Sequence, residues 1–164
     1  MTDEIMGSRL EGTSLIVKTG GGEKSYDFRF LIAAMLVFVA RGSGRIEPEE
    51  SGRMIELIED HFHMQGAESL ELITSAMTEL IEQKTLGPLL AELGPTLSDP
   101  DKEEIALMGL KVVAADGQRN FAEMEQFNQA MEALGIPAET LHRAFDRYFA
   151  ETGTGDEAPR AGRD

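Results

Sequence analysis

Three features of the sequence predict an all-α fold. Apolar residues recur at helical spacing from residue 27 onward, strand-like stretches are confined to the first 26 residues, and one helix-turn-helix pattern occurs twice. About seven helices are expected, in two related halves (about 28–94 and 99–151) packed as one compact domain. A chain of 164 residues, 41% of them hydrophobic, suits one such domain with a real core.

Residues 1–26 are open to two readings. Ser14-Leu15-Ile16-Val17-Lys18 and Ser25–Phe30 flank the turn at Gly20–Gly22 and could form a small hairpin, and an extended arm fits equally. The first helix, about Phe28–Arg41, is apolar nearly all round, as a buried central helix would be. The second follows Glu47-Pro48, where proline suits the first helical position, and its apolar face is Met54, Ile55, Ile58 and Phe62. The third carries Leu70, Ile73, Met77 and Leu80. A shorter helix is expected around Pro88–Leu93, ended by Gly94-Pro95.

The fifth helix has a strong start signal. Asp99 can cap it, Pro100 fits the first turn, and Asp101, Glu103 and Glu104 favour the positive helix end. It should run to about Ala115, burying Ile105, Met108 and Val112. The sixth carries Phe121, Met124, Phe127, Met131 and Leu134 and stops at Gly135, and the seventh carries Leu141, Phe145, Tyr148 and Phe149. From Thr152 the tail is rich in Gly, Thr and charge, and disorder is expected there. The nine methionines sit at core spacing, which points to ordinary packing.

Composition narrows the function. The absence of cysteine excludes disulfides, thiolate metal sites and a cysteine nucleophile. The N-terminus lacks the pattern of a signal peptide, and the longest apolar run, Leu31–Ala40, is far short of the roughly 20 residues a spanning helix needs. A soluble, cytoplasmic protein without direct membrane insertion is expected. A net charge of −15 repels nucleic acid and anionic lipid and attracts cations and basic protein surfaces.

The repeat becomes visible when residues 39–50 are set beside residues 112–123. Ser43 then falls on Asp116, a shift of 116 − 43 = 73 residues, and the same shift places Ile32 on Ile105, Met35 on Met108, Gly44 on Gly117, Glu50 on Glu123 and Met54 on Phe127. Turn and capping chemistry accounts for much of the second copy. Gly117 can take positive φ, Asn120 is a favoured N-cap, and Glu123 stands three residues later, as in a capping box. Glu47 and Glu50 repeat that spacing. None of this requires an acid at Asp116. Asp116 leaves one helix as Glu123 enters the next, so with Asn120 they could hold a divalent cation (Ca²⁺, Mg²⁺ or Zn²⁺). The loop is not an EF-hand, because oxygen donors occupy only positions one, five and eight and Arg119 adds a positive charge.

The duplicated pattern, an apolar helix ending in Ala115-Asp116-Gly117 and followed by a Glu-rich helix start at Glu123, resembles the TerB-like tellurite-resistance family over about residues 28–150. Ala133-Leu134-Gly135-Ile136, with the acidic helix start after it, is similar too. The resemblance implies an all-helical protein of two related halves, without an established enzymatic activity. It also implies a link to tellurite and other chemical stress, to phage and colicin resistance, and to metal-dependent membrane-associated complexes, with protein partners. Acidic turn residues are thought to bind cations in such proteins, which implicates Asp116 and Glu123, with Glu47 and Glu50 from the first half. Ser43 stands where the family has Asp, and Arg119 where it usually has an apolar residue.

Other patterns carry less. Thr19–Ser25 lacks the glycine that a phosphate loop places before its Lys-Ser pair, so a turn is favoured. Asp60…His63 and Glu139…His142 share an acid-x-x-His spacing used in di-iron bundles, but both lie near helix ends. A di-metal enzyme is therefore the weaker alternative. A purely structural interaction domain, with every turn carboxylate a cap, stays open beside the cation reading.

Overall fold

The chain enters its fold through a small antiparallel meander, so the fold is not strictly all-α: the hairpin around Gly20–Gly22 is the one of the two N-terminal alternatives that forms, and a further strand precedes it. The computed structural model describes residues 5–43, 46, 48–78, 83–114 and 121–152. In it β1 (Ile5–Glu11), β2 (Ser14–Thr19) and β3 (Gly22–Asp27) pair in that order. Gly12, at φ 61, opens the first two-residue loop, a position where glycine is preferred. In the second loop the Gly21 N–H donates to Thr19 Oγ1 at 3.2 Å, and the Thr19 hydroxyl donates to the Gly22 carbonyl at 3.0 Å. The glycine run at 20–22 is thus a hairpin turn. Only β2 shows a clear buried alternation, with Leu15 and Val17 in the core. β1 exposes Met6 and Leu10, so its sequence carries no strand period to read.

Among the described residues there are seven α-helices: α1 (Phe28–Ala40), α2 (Pro48–Phe62), α3 (Gly66–Thr78), α4 (Gln83–Leu93), α5 (Asp99–Val113), α6 (Phe121–Leu134) and α7 (Ala138–Thr152). Their ends follow local chemistry. Asp27 caps α1 by accepting from the Arg29 N–H at 2.8 Å. Glu68 reaches back to the Gln65 N–H at 3.3 Å, half of a capping box for α3. Ser98, not Asp99, caps α5, accepting from the Asp101 N–H at 3.2 Å and making Asp99 the first helical residue. At the end of α6, Gly135 has φ 71, its N–H donates to Glu132 and the Ile136 N–H donates to Met131, a Schellman motif. α5 stops at Val113 with Ala114 as its cap, slightly short of the expected end.

Two further expectations are corrected. Leu70 is 54% exposed, and the buried face of α3 runs through Ser69, Ile73 and Ala76 instead. A polar residue can take that place because the Ser69 hydroxyl lies 2.8 Å from Glu59 Oε2 and 3.0 Å from the Gly66 carbonyl. α4 starts at Gln83, well before Pro88, which the helix accommodates in its interior on an exposed face. Leu80 and the tail beyond Thr152 lie outside the described residues.

The helices repeat in space. Shifting α1, α2 and α3 by the repeat offset lands on α5, α6 and α7 to within two residues at every boundary. α3 packs on α1 as α7 packs on α5, and each half's second helix packs on the other half's first: α6 on α1, α2 on α5. The sheet and α4 have no counterpart. Residues 31–37 of α1 and 105–110 of α5 are all buried, so these two helices are the centre of the core. A Cβ on Gly109 would stand 2.8 Å from the Phe127 ring, so glycine makes room for phenylalanine where the first half has Leu36 and Met54.

α4 fills the space against α6 and α1, and its end is fixed by backbone contact. A Cβ on Gly94 would lie 2.0 Å from the Leu134 carbonyl oxygen. α7 is tied to α5 by charge: Arg143 meets Glu103 at 2.9 Å, Arg147 meets Glu103 at 3.1 Å and Glu104 at 2.6 Å, and Lys111 meets Glu151 at 2.9 Å. Hydrogen bonds from Arg143 and then Arg147 hold Glu103 below the usual carboxylate range, and that from Lys111 does the same for Glu151.

Replacing Gly94 by Ala should cost about 2 kcal/mol or more in urea unfolding, since backbone cannot yield as a side chain does. Gly52→Ala, with nothing within 4 Å in α2, should instead add roughly 0.5–1 kcal/mol. The depressed carboxylates stabilise the fold above the ordinary carboxylate range and lose that contribution as pH falls from that range through their own lowered one. Thermal stability should therefore drop below about pH 5, and Glu103→Gln should shrink the drop.

Candidate functional site

Glu50 is the third residue of α2 and Glu123 the third of α6. Acids there suit the positive helix end, and such residues normally face water, as Glu49 and Glu125 do. These two do not: Glu50 is 0% exposed and Glu123 1%. A carboxylate removed from water must be compensated by donors or positive charge. Both take part in polar interactions.

The packing around Glu123 joins the halves. After α1 the chain makes a short 3-10 turn, Arg41–Ser43. That turn lies on the first turn of α6 so closely that a Cβ on Gly42 would stand 2.7 Å from the Ala122 carbonyl oxygen and 2.8 Å from Glu123 Cα. Glu123 therefore sits between its own helix start and the turn of the other half. The turn of the other half is a neighbour of Glu123 that spacing within one copy did not suggest. Gly42 was missed because its repeat partner is Ala115, not glycine. Nearby, the Arg41 guanidinium donates to the Met77 carbonyl at 3.2 Å, placing positive charge at the end of α3. Gln126 Nε2 donates to the Phe38 carbonyl at 3.2 Å, a second tie from α6 to α1.

Of the residues singled out for cation binding, Glu50 and Glu123 are placed by the structure, and Glu47, Asp116 and Asn120 lie outside the described residues, as does Arg119. The two placed donors are carboxylates, which suits hard cations such as Ca²⁺ and Mg²⁺ better than Zn²⁺, whose sites are usually built on nitrogen and sulfur. The histidines are not drawn together. His61 packs edge-on against Phe62 at 4.7 Å, His63 takes φ 56 just past the end of α2, and exposed His142 faces Asp146 at 3.7 Å. Among the described residues no group of three His, Cys, Asp or Glu side chains could hold a metal, and no helix is long and apolar enough to cross a membrane.

A sequence model of the family described as TerB, tellurite resistance protein TerB, matches residues 29–146. The chain belongs to the TerB family. The matched span runs from the start of α1 into α7 and takes in both buried glutamates, leaving the sheet outside. No curated protein and no solved structure matches the chain.

Truncating either buried glutamate to alanine should cost about 2 kcal/mol in urea unfolding, because it removes a fully buried side chain together with the polar interactions that compensate it. Exposed Glu125→Ala should stay within about 0.5 kcal/mol of the parent protein.

Proposed function

We propose that this TerB-family chain is a non-enzymatic interaction module whose turns bind a hard divalent cation, Ca²⁺ or Mg²⁺. The observation that carries the reading is the burial of two glutamates at equivalent places in the two halves, one of them pressed against the turn of the other half. Asp116 and Asn120, with Glu47 from the first half, would add oxygen donors. A bound cation would offset the buried negative charge and draw the halves together, so that cation level sets the rigidity of the surface offered to a partner. The strongly acidic chain suits a partner with a basic surface, within a stress-response or membrane-associated assembly.

A second reading has an observation of its own. Both glutamates occupy the third helical position, where a carboxylate caps the helix start without any metal. The two readings separate in solution. Under the first, Ca²⁺ or Mg²⁺ binds below millimolar in isothermal titration and raises the melting temperature, and Glu123→Gln or Asp116→Asn abolishes both effects. Under the second, no divalent cation moves the melting temperature, although Glu123→Ala still lowers it.

A further inference from the structure

β1 forms one edge of the sheet and β3 the other. The hairpin loops fix which backbone groups of β1 point outward. Both loops have two residues, so the pairs that close them, Glu11 with Ser14 and Thr19 with Gly22, are hydrogen-bonded pairs. Such pairs alternate with non-hydrogen-bonded ones along an antiparallel ladder. Ser8, opposite Val17, and Leu10, opposite Leu15, therefore turn their N–H and C=O groups away from β2 and out across the edge. Val17 and Leu15 direct theirs to Lys24 and Tyr26 of β3, as the same alternation requires. A register shift between Ile5 and Gly7 ends the regular frame, so the outward template is Gly7–Glu11.

The side chains along this edge suit a contact. Sheet edges are commonly blunted by charge, and β3 follows that rule with Glu23, Lys24 and Asp27. β1 instead exposes two large apolar side chains, Met6 at 72% and Leu10 at 38%. Its Arg9 is already engaged by Glu11 and Glu23. Leu10 shares the inner face of the sheet with Leu15, and α4 runs along that side. There the Ser8 hydroxyl donates to Glu92 at 2.6 Å, and Pro88 and Pro95, one turn before and after Glu92, are exposed. A strand laid on Ser8 and Leu10 would gain main-chain hydrogen bonds and place alternate side chains on this apolar face.

Outward main-chain donors and acceptors beside apolar side chains are what β-strand addition uses. The occupant follows from charge. A second copy would bring another net charge of −15 to the contact, whereas a basic segment is drawn to it. Glu11, more than half exposed at the end of the template, and Glu92 beside Ser8 give such a segment local partners. We infer that β1 takes up an extended segment of a partner protein as a fourth strand, with apolar side chains on the Leu10 face and basic ones between them. The inference names the docking surface of the interaction module proposed above and rests on that reading.

A fluorescein-labelled peptide, Lys-Val-Lys-Ile-Lys-Val-Lys, tests this on the full chain by fluorescence anisotropy, with EDTA present so that the result is independent of cation binding. Saturable binding is expected, with one peptide per chain. Ser8→Pro removes an outward N–H where an edge strand tolerates proline, and should weaken binding at least about tenfold at unchanged circular dichroism. Ser8→Ala, which removes only the hydroxyl, should bind within about threefold of the parent. The same peptide methylated on its backbone nitrogens keeps every charge and should bind at least about tenfold more weakly, whether or not Ser8→Pro folds. Absence of saturable binding, equal binding of the methylated peptide, or full binding by folded Ser8→Pro would overturn the inference. So would a concentration-dependent dimer in sedimentation velocity that Ser8→Pro abolishes, since a second copy would then occupy the edge. A failed peptide titration with cation-dependent melting intact overturns the docking surface and leaves the cation reading standing.

Discussion

The joining of the two halves depends on a place where backbone touches backbone across the repeat. At Gly42 the turn leaving α1 meets the first turn of α6, with room for a hydrogen and none for a methyl group. This contact seats the start of α6 against the end of α1 and brings Glu123 under cover. An α1–α2 pair alone would leave most of the apolar circumference of α1 in water. The halves cover each other's central helices, so the hydrophobic and electrostatic features of the molecule meet at the same seam.

The elements outside the repeat complete that arrangement. The sheet contributes Leu15 and Val17 to the core and delivers the chain to Asp27, which caps α1. α4 covers the face of α6 that would otherwise lie bare, and it is locked at one end by the Gly94 contact with Leu134. Charge acts between α5 and α7, where Arg143, Arg147 and Lys111 hold the two helices together. Three of the chain's 15 basic residues thus meet carboxylates on this one seam of an acidic protein.

Much of this was legible in the sequence because it rests on period and punctuation. The start of α2 at Pro48, the stop at Gly135 and the buried faces of α5 and α6 are local signals with one structural answer. So is the repeat, since equal spacing of unlike residues can be read without knowing what they touch. What escaped depends on distant neighbours. β1 is a strand because β2 pairs with it, not because its own residues alternate. Ser69 is buried and Leu70 exposed because Glu59, ten residues away, supplies the hydroxyl's partner. Glu50 and Glu123 were legible as caps or cation ligands but not as buried, since spacing says where on a helix an acid lies and not what lies on top of it. Gly42 carries no signal within its own copy, and only the approach of α6 gives it a role.

The most direct measurement is the stability of Gly42→Ala by equilibrium unfolding. Its backbone does not require positive φ, so the substitution probes close approach alone. A loss of at least about 2 kcal/mol is predicted, because backbone on both sides must move apart. Stability within about 0.5 kcal/mol of the parent chain would contradict the account, since the seam between the halves would then not depend on this contact.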